Sequence, residues 1–283
     1  MKFSAAFLTA ALASLVVAQK SSPLAERINA RQEGLDSIDN RHVQKRTGSG
    51  STDLLNDKKA KTARNKVELS YNWSGATLLV PSYGWFTHVT GTFTLPKPLY
   101  VGQGPGAYAY VWIGIDGYSC EAALTAGMVI QVSKTGEVSY AAQYSFNDNA
   151  GAFSDLHMKP GDIIQMEVSA PSTTIGIVKI TNHSTGKSAT KKLTPGTGPA
   201  LCRWNAQWIV EDPSLNGRRT TLTNFGEILF TDVSAGQNTG VTMDLTKALL
   251  WEIEIDIGKT SHIVTHSNIV KPDQLSVVYV TKH

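Results

Sequence analysis

Short runs rich in valine, isoleucine, threonine and aromatics, cut at close intervals by glycine, proline, asparagine and serine, leave this chain few architectures. Such runs occupy 85–95, 163–170, 175–182 and 226–231, among others. Each alternates with period two or is continuously apolar, the signature of strands buried on one or both faces. No stretch after residue 66 carries long amphipathic helical periodicity. The sequence therefore predicts an all-β domain over 66–283, an antiparallel β-sandwich of two large sheets of concanavalin A-like or jelly-roll type. About 218 residues suffice for one such domain, and no repeat or linker asks for a second.

Two runs, 108–127 and 139–148, are the most apolar, and they read as neighbouring strands. Tyr108, Tyr110 and Trp112 alternate with small or β-branched residues, and Gly114, Asp116 and Gly117 turn the chain. Tyr140, Ala142, Tyr144 and Phe146 alternate again. Two aromatic-lined strands side by side form either a sandwich core or the floor of a groove for an extended peptide or glycan.

The chain opens with Lys2 and an apolar stretch over 3–17, then Val16, Ala18 and Gln19. This is the layout of a secretory signal peptide over 1–18, too short for the ~20 residues of a membrane span. Residues 19–65 are polar and offer no apolar face, so they read as a poorly structured pro-segment, with Lys45-Arg46 as a dibasic site for cleavage after Arg46. The expected product is a secreted, extracellular monomer with no membrane association.

Residues 20–65 hold 10 Lys/Arg against 6 Asp/Glu, whereas 66–283 hold 15 against 17. The basic character of the chain thus belongs to the leader. A folded part of net charge −2 without a basic aromatic stripe excludes nucleic acid as an expected partner. A basic leader facing an acidic domain makes the pro-segment itself an expected partner near neutral pH.

Cys120 and Cys202 are the only cysteines, and in an exported chain two cysteines pair more readily than they stay free. Closing a loop of that length stabilises a fold by roughly 4 kcal/mol in the chain-entropy account. Asn72-Trp73-Ser74 and Asn182-His183-Ser184 are glycosylation sequons, at Asn72 and Asn182. The seven histidines show no zinc-ligand spacing, so neither a metal nor another cofactor is expected.

Several segments together resemble the fungal glutamic peptidases, or eqolisins. They are Asn72-Trp73-Ser74-Gly75, Trp112-Ile113-Gly114-Ile115-Asp116-Gly117 followed by Cys120, Leu201-Cys202, and Asn205 through Asp212, with Gly161-Asp162 and Ile164-Gln165-Met166 between. The resemblance spans nearly all of 68–283. It implies a secreted β-sandwich with a bridge from Cys120 to Cys202, a cleavable pro-segment, and descent from acid-active endopeptidases. It also implies a Gln/Glu dyad, the glutamate as general base and the glutamine amide as support for the oxyanion. Aligned on Leu124, Gly127 and Tyr144, the dyad positions here are Thr125 and Ser145.

Neither residue does the same work. Serine has no charge state that takes a proton from water in acid, so a general-base contribution of about 10²–10⁴-fold is lost. Threonine is shorter than glutamine, and one missing oxyanion donor costs about 10²–10³-fold. The expectation is a non-catalytic or strongly impaired homologue with no catalytic residue retained, holding an extended peptide or glycan. The resemblance makes Trp73, Asp116 and Glu211, with Tyr144, candidate binding residues. Asp148, beside the second strand, is a candidate relocated base for an active acid endopeptidase. A rival reading rests on Trp251-Glu252-Ile253-Glu254-Ile255-Asp256. Alternation sets Glu252, Glu254 and Asp256 on one face, similar to the carboxylate row of retaining glycoside hydrolases, though in a different order.

Overall fold

The computed structural model describes residues 65–80, 83–215 and 218–280, the side chains at 215 and 218 excepted. The signal peptide, Lys45-Arg46 and the rest of the predicted pro-segment up to residue 64 lie outside the described residues. Asn65, assigned by sequence to the leader, is clamped to the domain. Its side-chain amide donates to the carbonyls of Ala248 at 2.7 Å and Thr246 at 3.2 Å.

Nineteen strands follow in chain order among the described residues. They are β1 (Val67–Ser70), β2 (Trp73–Leu79), β3 (Phe86–Thr94), β4 (Gly106–Asp116), β5 (Ala123–Ser133), β6 (Val138–Phe146) and β7 (Asn149–Phe153). Next come β8 (Ile163–Ser169), β9 (Gly176–Asn182), β10 (Lys187–Leu193), β11 (Asn205–Glu211), β12 (Ser214–Leu215) and β13 (Arg218–Arg219). The last are β14 (Glu227–Gln237), β15 (Thr242–Met243), β16 (Leu249–Ile257), β17 (Thr260–Ile263), β18 (Thr265–Lys271) and β19 (Gln274–Tyr279).

The larger sheet runs β1-β16-β2-β11-β4-β5-β6-β7, with β17 on β16. The smaller runs β10-β9-β8-β3-β14-β19-β18, with β15 on β14. Only the short β1 lies parallel to its partner. The expected two-sheet sandwich is present, and its core joins Ile113, Leu124, Met128 and Trp208 of the larger sheet to Val89, Phe93, Met166 and Phe230 of the smaller. Trp208 shows how closely the sheets approach. Its indole N–H crosses the core to the Thr90 carbonyl at 2.8 Å, and it lies where Gly91 has no side chain: a Cβ there would meet the ring at 3.1 Å.

Register settles which aromatics share a face. Tyr110 pairs with Glu211 and Val129, and Trp112 with Ile209 and Gly127, so these side chains stand on the outer face of the larger sheet. Tyr140, Tyr144 and Phe146 belong to the inner face and the core. Of the two readings, sandwich core or groove floor, the second row joins the core while the first stands on the outer face; the two strands are neighbours only through β5, and their aromatic rows face opposite sides of the sheet. Cys120 and Cys202 are bridged with a Cα separation of 6.1 Å, tying the turn after β4 to the approach to β11.

Candidate functional site

The outer face of the larger sheet carries a second, smaller aromatic cluster of Trp73, Tyr110, Trp112, Ile209 and Trp251. Trp73 meets Trp112 edge to face at 5.2 Å, and Trp251 meets Tyr118 at 5.4 Å. Beside this cluster, one rung beyond Trp112 and Ile209, runs a polar rung. Thr77 pairs with Gln207, Gln207 with Gly114, Gly114 with Thr125, and Thr125 with Ser145. Directly opposed residues of antiparallel strands point to the same face, so five strands contribute to a single row, polar except at Gly114, flanked on one side by the rung of Trp112 and Ile209 and on the other by that of Leu79, Asn205, Asp116 and Ala123.

Every polar member of the row is buried. Thr77 receives the Trp251 indole N–H at 3.0 Å and donates to the Gln207 carbonyl oxygen at 3.3 Å. The Gln207 amide nitrogen donates to the backbone carbonyl of Asp116. The Ser145 hydroxyl donates to the carbonyl of Asn147 at 3.0 Å, turned along its own chain. Gly114 has to be glycine: an added Cβ would lie 2.7 Å from the Leu124 carbonyl and 2.9 Å from Thr125 Cγ2.

Thr125 and Ser145 are thus brought together as cross-strand neighbours. Trp73 and Glu211 stand opposite each other on an outer rung of the same face. Glu211 accepts the Trp112 indole N–H at 2.9 Å. Asp116 ends β4 with φ at 68°, in the left-handed region. Its carboxylate accepts the backbone N–H of Arg203 at 2.6 Å and of Trp204 at 2.7 Å, which fixes the chain entering β11. Burial raises its pKa against the opposing pull of those hydrogen bonds. The carboxylate also approaches the Cys120 and Cys202 sulfurs, but the bridge consumes both thiols as metal ligands.

Tyr144 is not brought to this face. Its ring packs on Phe153 at 4.9 Å and under Lys191 at 5.5 Å, on the inner side near the sheet edge. Asn182 of the second sequon is buried, and its side-chain nitrogen is engaged within the fold. It donates to Asp162 at 2.9 Å, in a residue of zero exposure. Asn72 is half-buried in the turn between β1 and β2, its side-chain oxygen accepting the Ser70 hydroxyl at 3.1 Å. Asp148 sits at the β6–β7 turn, gripped by the Thr197 hydroxyl at 2.5 Å, and faces no part of the polar row. Glu252 meets His266 at 3.1 Å and Asp256 accepts from Ser261 at 2.5 Å, so these two carboxylates serve separate local contacts.

Sequence reasoning passed over Gln207. The signal was present: counting back by twos from Glu211 along one strand puts 209 and 207 on the same face.

A two-sheet antiparallel sandwich with a buried polar rung beside a tryptophan-rich cluster on its larger sheet places the chain in the class of β-sandwich proteins. Comparison with known proteins names the family within it. The profile of the Peptidase A4 family matches residues 71–279. Aspergillopepsin-2 of Aspergillus niger is 32% identical over 99% of this chain and all of its own length. Scytalidopepsin B of Scytalidium lignicola is 30% identical over 65% of this chain and 70% of its own. Among solved structures, scytalido-glutamic peptidase with a transition state analog inhibitor superposes with a TM-score of 0.62 at 28% identity, covering 74% of this chain and 98% of that one. Aspergilloglutamic peptidase from Aspergillus niger gives 0.55 at 31% identity, covering 62% and 99%. The chain belongs to the peptidase A4, or glutamic peptidase (eqolisin), family.

Proposed function

We propose that this chain is a secreted glutamic-peptidase homologue whose outer face holds an extended peptide without hydrolysing it at an ordinary rate. The observation that carries the reading is the composition of the central rung: Thr77, Gln207, Gly114, Thr125 and Ser145 include no carboxylate. Hydrolysis of an amide in acid needs a base within hydrogen-bonding reach of the attacking water. The two carboxylates at the edges of this face are engaged elsewhere, Asp116 with the backbone at 203–204 and Glu211 with Trp112. A peptide ligand agrees with the relatives, since scytalido-glutamic peptidase has been solved with a peptide based transition state analog and SCP-B, a member of the Eqolisin family, with the tripeptide Ala-Ile-His. Secretion agrees with the leader composition.

The test is digestion of denatured protein substrates at acid pH. No cleavage above background is the expected outcome for the native chain, and robust cleavage that survives Ser145→Ala ends the proposal. Two repaired variants locate the missing chemistry. Thr125→Gln with Ser145→Glu places the pair on adjacent strands, about 4.8 Å apart. Thr125→Gln with Gln207→Glu places it on either side of Gly114, about twice that distance, where two long side chains converge over a residue that has none. The geometry favours the second pair, so cleavage should return there first.

A further inference from the structure

At one end of the sandwich, on the opposite side of β11 from the polar rung, lies a cavity of about 590 Å³ that the peptidase reading leaves unused. Val101, Leu222, Ile255 and Val264 form apolar walls, and Tyr279 closes one side. Asp212, only 4% exposed, contributes the one deeply buried charge. Its position follows from strand parity. Glu211 and Asp212 are consecutive, so one carboxylate serves the outer face while the next turns into this cavity.

The hydrogen bonding of Asp212 is incomplete in a specific way. One oxygen, Oδ2, accepts the Arg219 Nε–H at 2.7 Å. The other, Oδ1, has the Thr220 hydroxyl at 3.4 Å, but that hydroxyl lies 2.7 Å from the Pro213 carbonyl. A hydroxyl has one proton, and it goes to the nearer, better acceptor. Among the described residues Oδ1 then has only that long, shared donor, on the wall of a cavity. Leaving such an oxygen unsatisfied is costly, and a donor delivered by a ligand removes that cost. Among the described residues the charged groups on the lining are Asp212, Asp256 and Arg219. The Tyr279 phenol, whose pKa is raised by burial and then by the Asp212 charge, adds a polar group on the same side.

We propose that this cavity is a binding site for a small organic cation, an ammonium or guanidinium group on an apolar body, with Asp212 Oδ1 as its acceptor. The volume suits such a molecule, since small-ligand sites run from about 300 to 1,000 Å³ with apolar walls and few placed polar groups. The apolar body fills the space between Val101 and Val264, and the cationic head supplies the donor that Thr220 withholds.

The experiment is calorimetric titration of the full chain with n-octylammonium, n-octanol and n-octanoate, above the pH of about 6 at which Asp212 ionises. Octylammonium should bind saturably and on the order of tenfold more tightly than octanol, the ratio a charge-assisted hydrogen bond confers, with octanoate weakest. Asp212→Asn should abolish that ratio while octanol binding stays. Val101→Trp, a substitution on a half-buried loop, should fill the mouth and weaken every probe. The proposal falls if octanol or octanoate matches the ammonium, if the preference survives Asp212→Asn, or if Val101→Trp leaves binding unchanged. Should the asparagine variant not fold, the tryptophan variant and the probe series decide alone.

Discussion

Asp212 shows how far a single buried group departs from its exposed behaviour. Its ion pair with Arg219 lowers the pKa, but burial raises it more, leaving it at about 6 against an ordinary 3.8. Desolvation wins because Arg219 is partly exposed while Asp212 is not. A carboxyl group whose pKa is raised by folding contributes stability below its unfolded pKa, and that contribution is lost as pH rises through the folded value. The native chain should therefore lose stability between about pH 4 and pH 6, by at most about 3 kcal/mol from this one residue. Denaturant titrations of the native chain and Asp212→Asn at several pH values check it. The gap between the two should shift in favour of asparagine as pH rises, and parallel curves would refute the assignment.

At the scale of the element, β2 depends on a residue that alternation alone would never flag. Gly75 sits mid-strand between β16 and β11 with φ at 136°, and a Cβ added there would lie 2.1 Å from the Trp208 carbonyl oxygen. The clash is with backbone, which cannot rotate away. Gly75→Ala should cost about 2–4 kcal/mol through strain and overpacking together, and it should loosen Trp73, two residues earlier on the outer face. Gly136, in the turn between β5 and β6, is the comparison: its φ is 84° but nothing lies within 4 Å. Gly136→Ala should cost only the backbone term, about 1–2 kcal/mol. Equal losses of melting temperature in the two variants would contradict the packing argument.

For the whole molecule, the bridge between Cys120 and Cys202 is the main covalent constraint, closing a sequence separation of 82. Loop closure of that length is worth roughly 4.5 kcal/mol in the chain-entropy account. The bridge ties the turn after β4 to the segment entering β11, the two strands that present Gly114 and Gln207. Replacing both cysteines by serine should lower the unfolding free energy by about 4 kcal/mol, read from the denaturation midpoint at constant slope. A loss under about 1 kcal/mol would mean that Asp116, through its bonds to 203–204, already holds the two ends together.

The all-β class and the family motifs were legible along the sequence because each depends on local composition or on spacing within one segment, and the bridge was legible because the chain has only two cysteines to pair. Alternation also predicted that Tyr110 and Trp112 share a face, and that Tyr140, Tyr144 and Phe146 share one. It could not relate the two faces. That relation depends on register through β5, where a slip of one residue exchanges the sides of a whole strand, and register is set by long-range pairing and not by either strand alone. Gln207 joined Thr125 and Ser145 only when β11 and β5 took their places on either side of β4. The Asn182 amide was buried when Asp162 met it, and Asp212 became a buried acid on a cavity wall only when residues as distant as 101 and 279 closed around it. Sequence determined which residues could form strands and which chemistry was on offer; the tertiary structure decided which of those residues meet, because contact, burial and the energy of a charge depend on neighbours the chain supplies from far away.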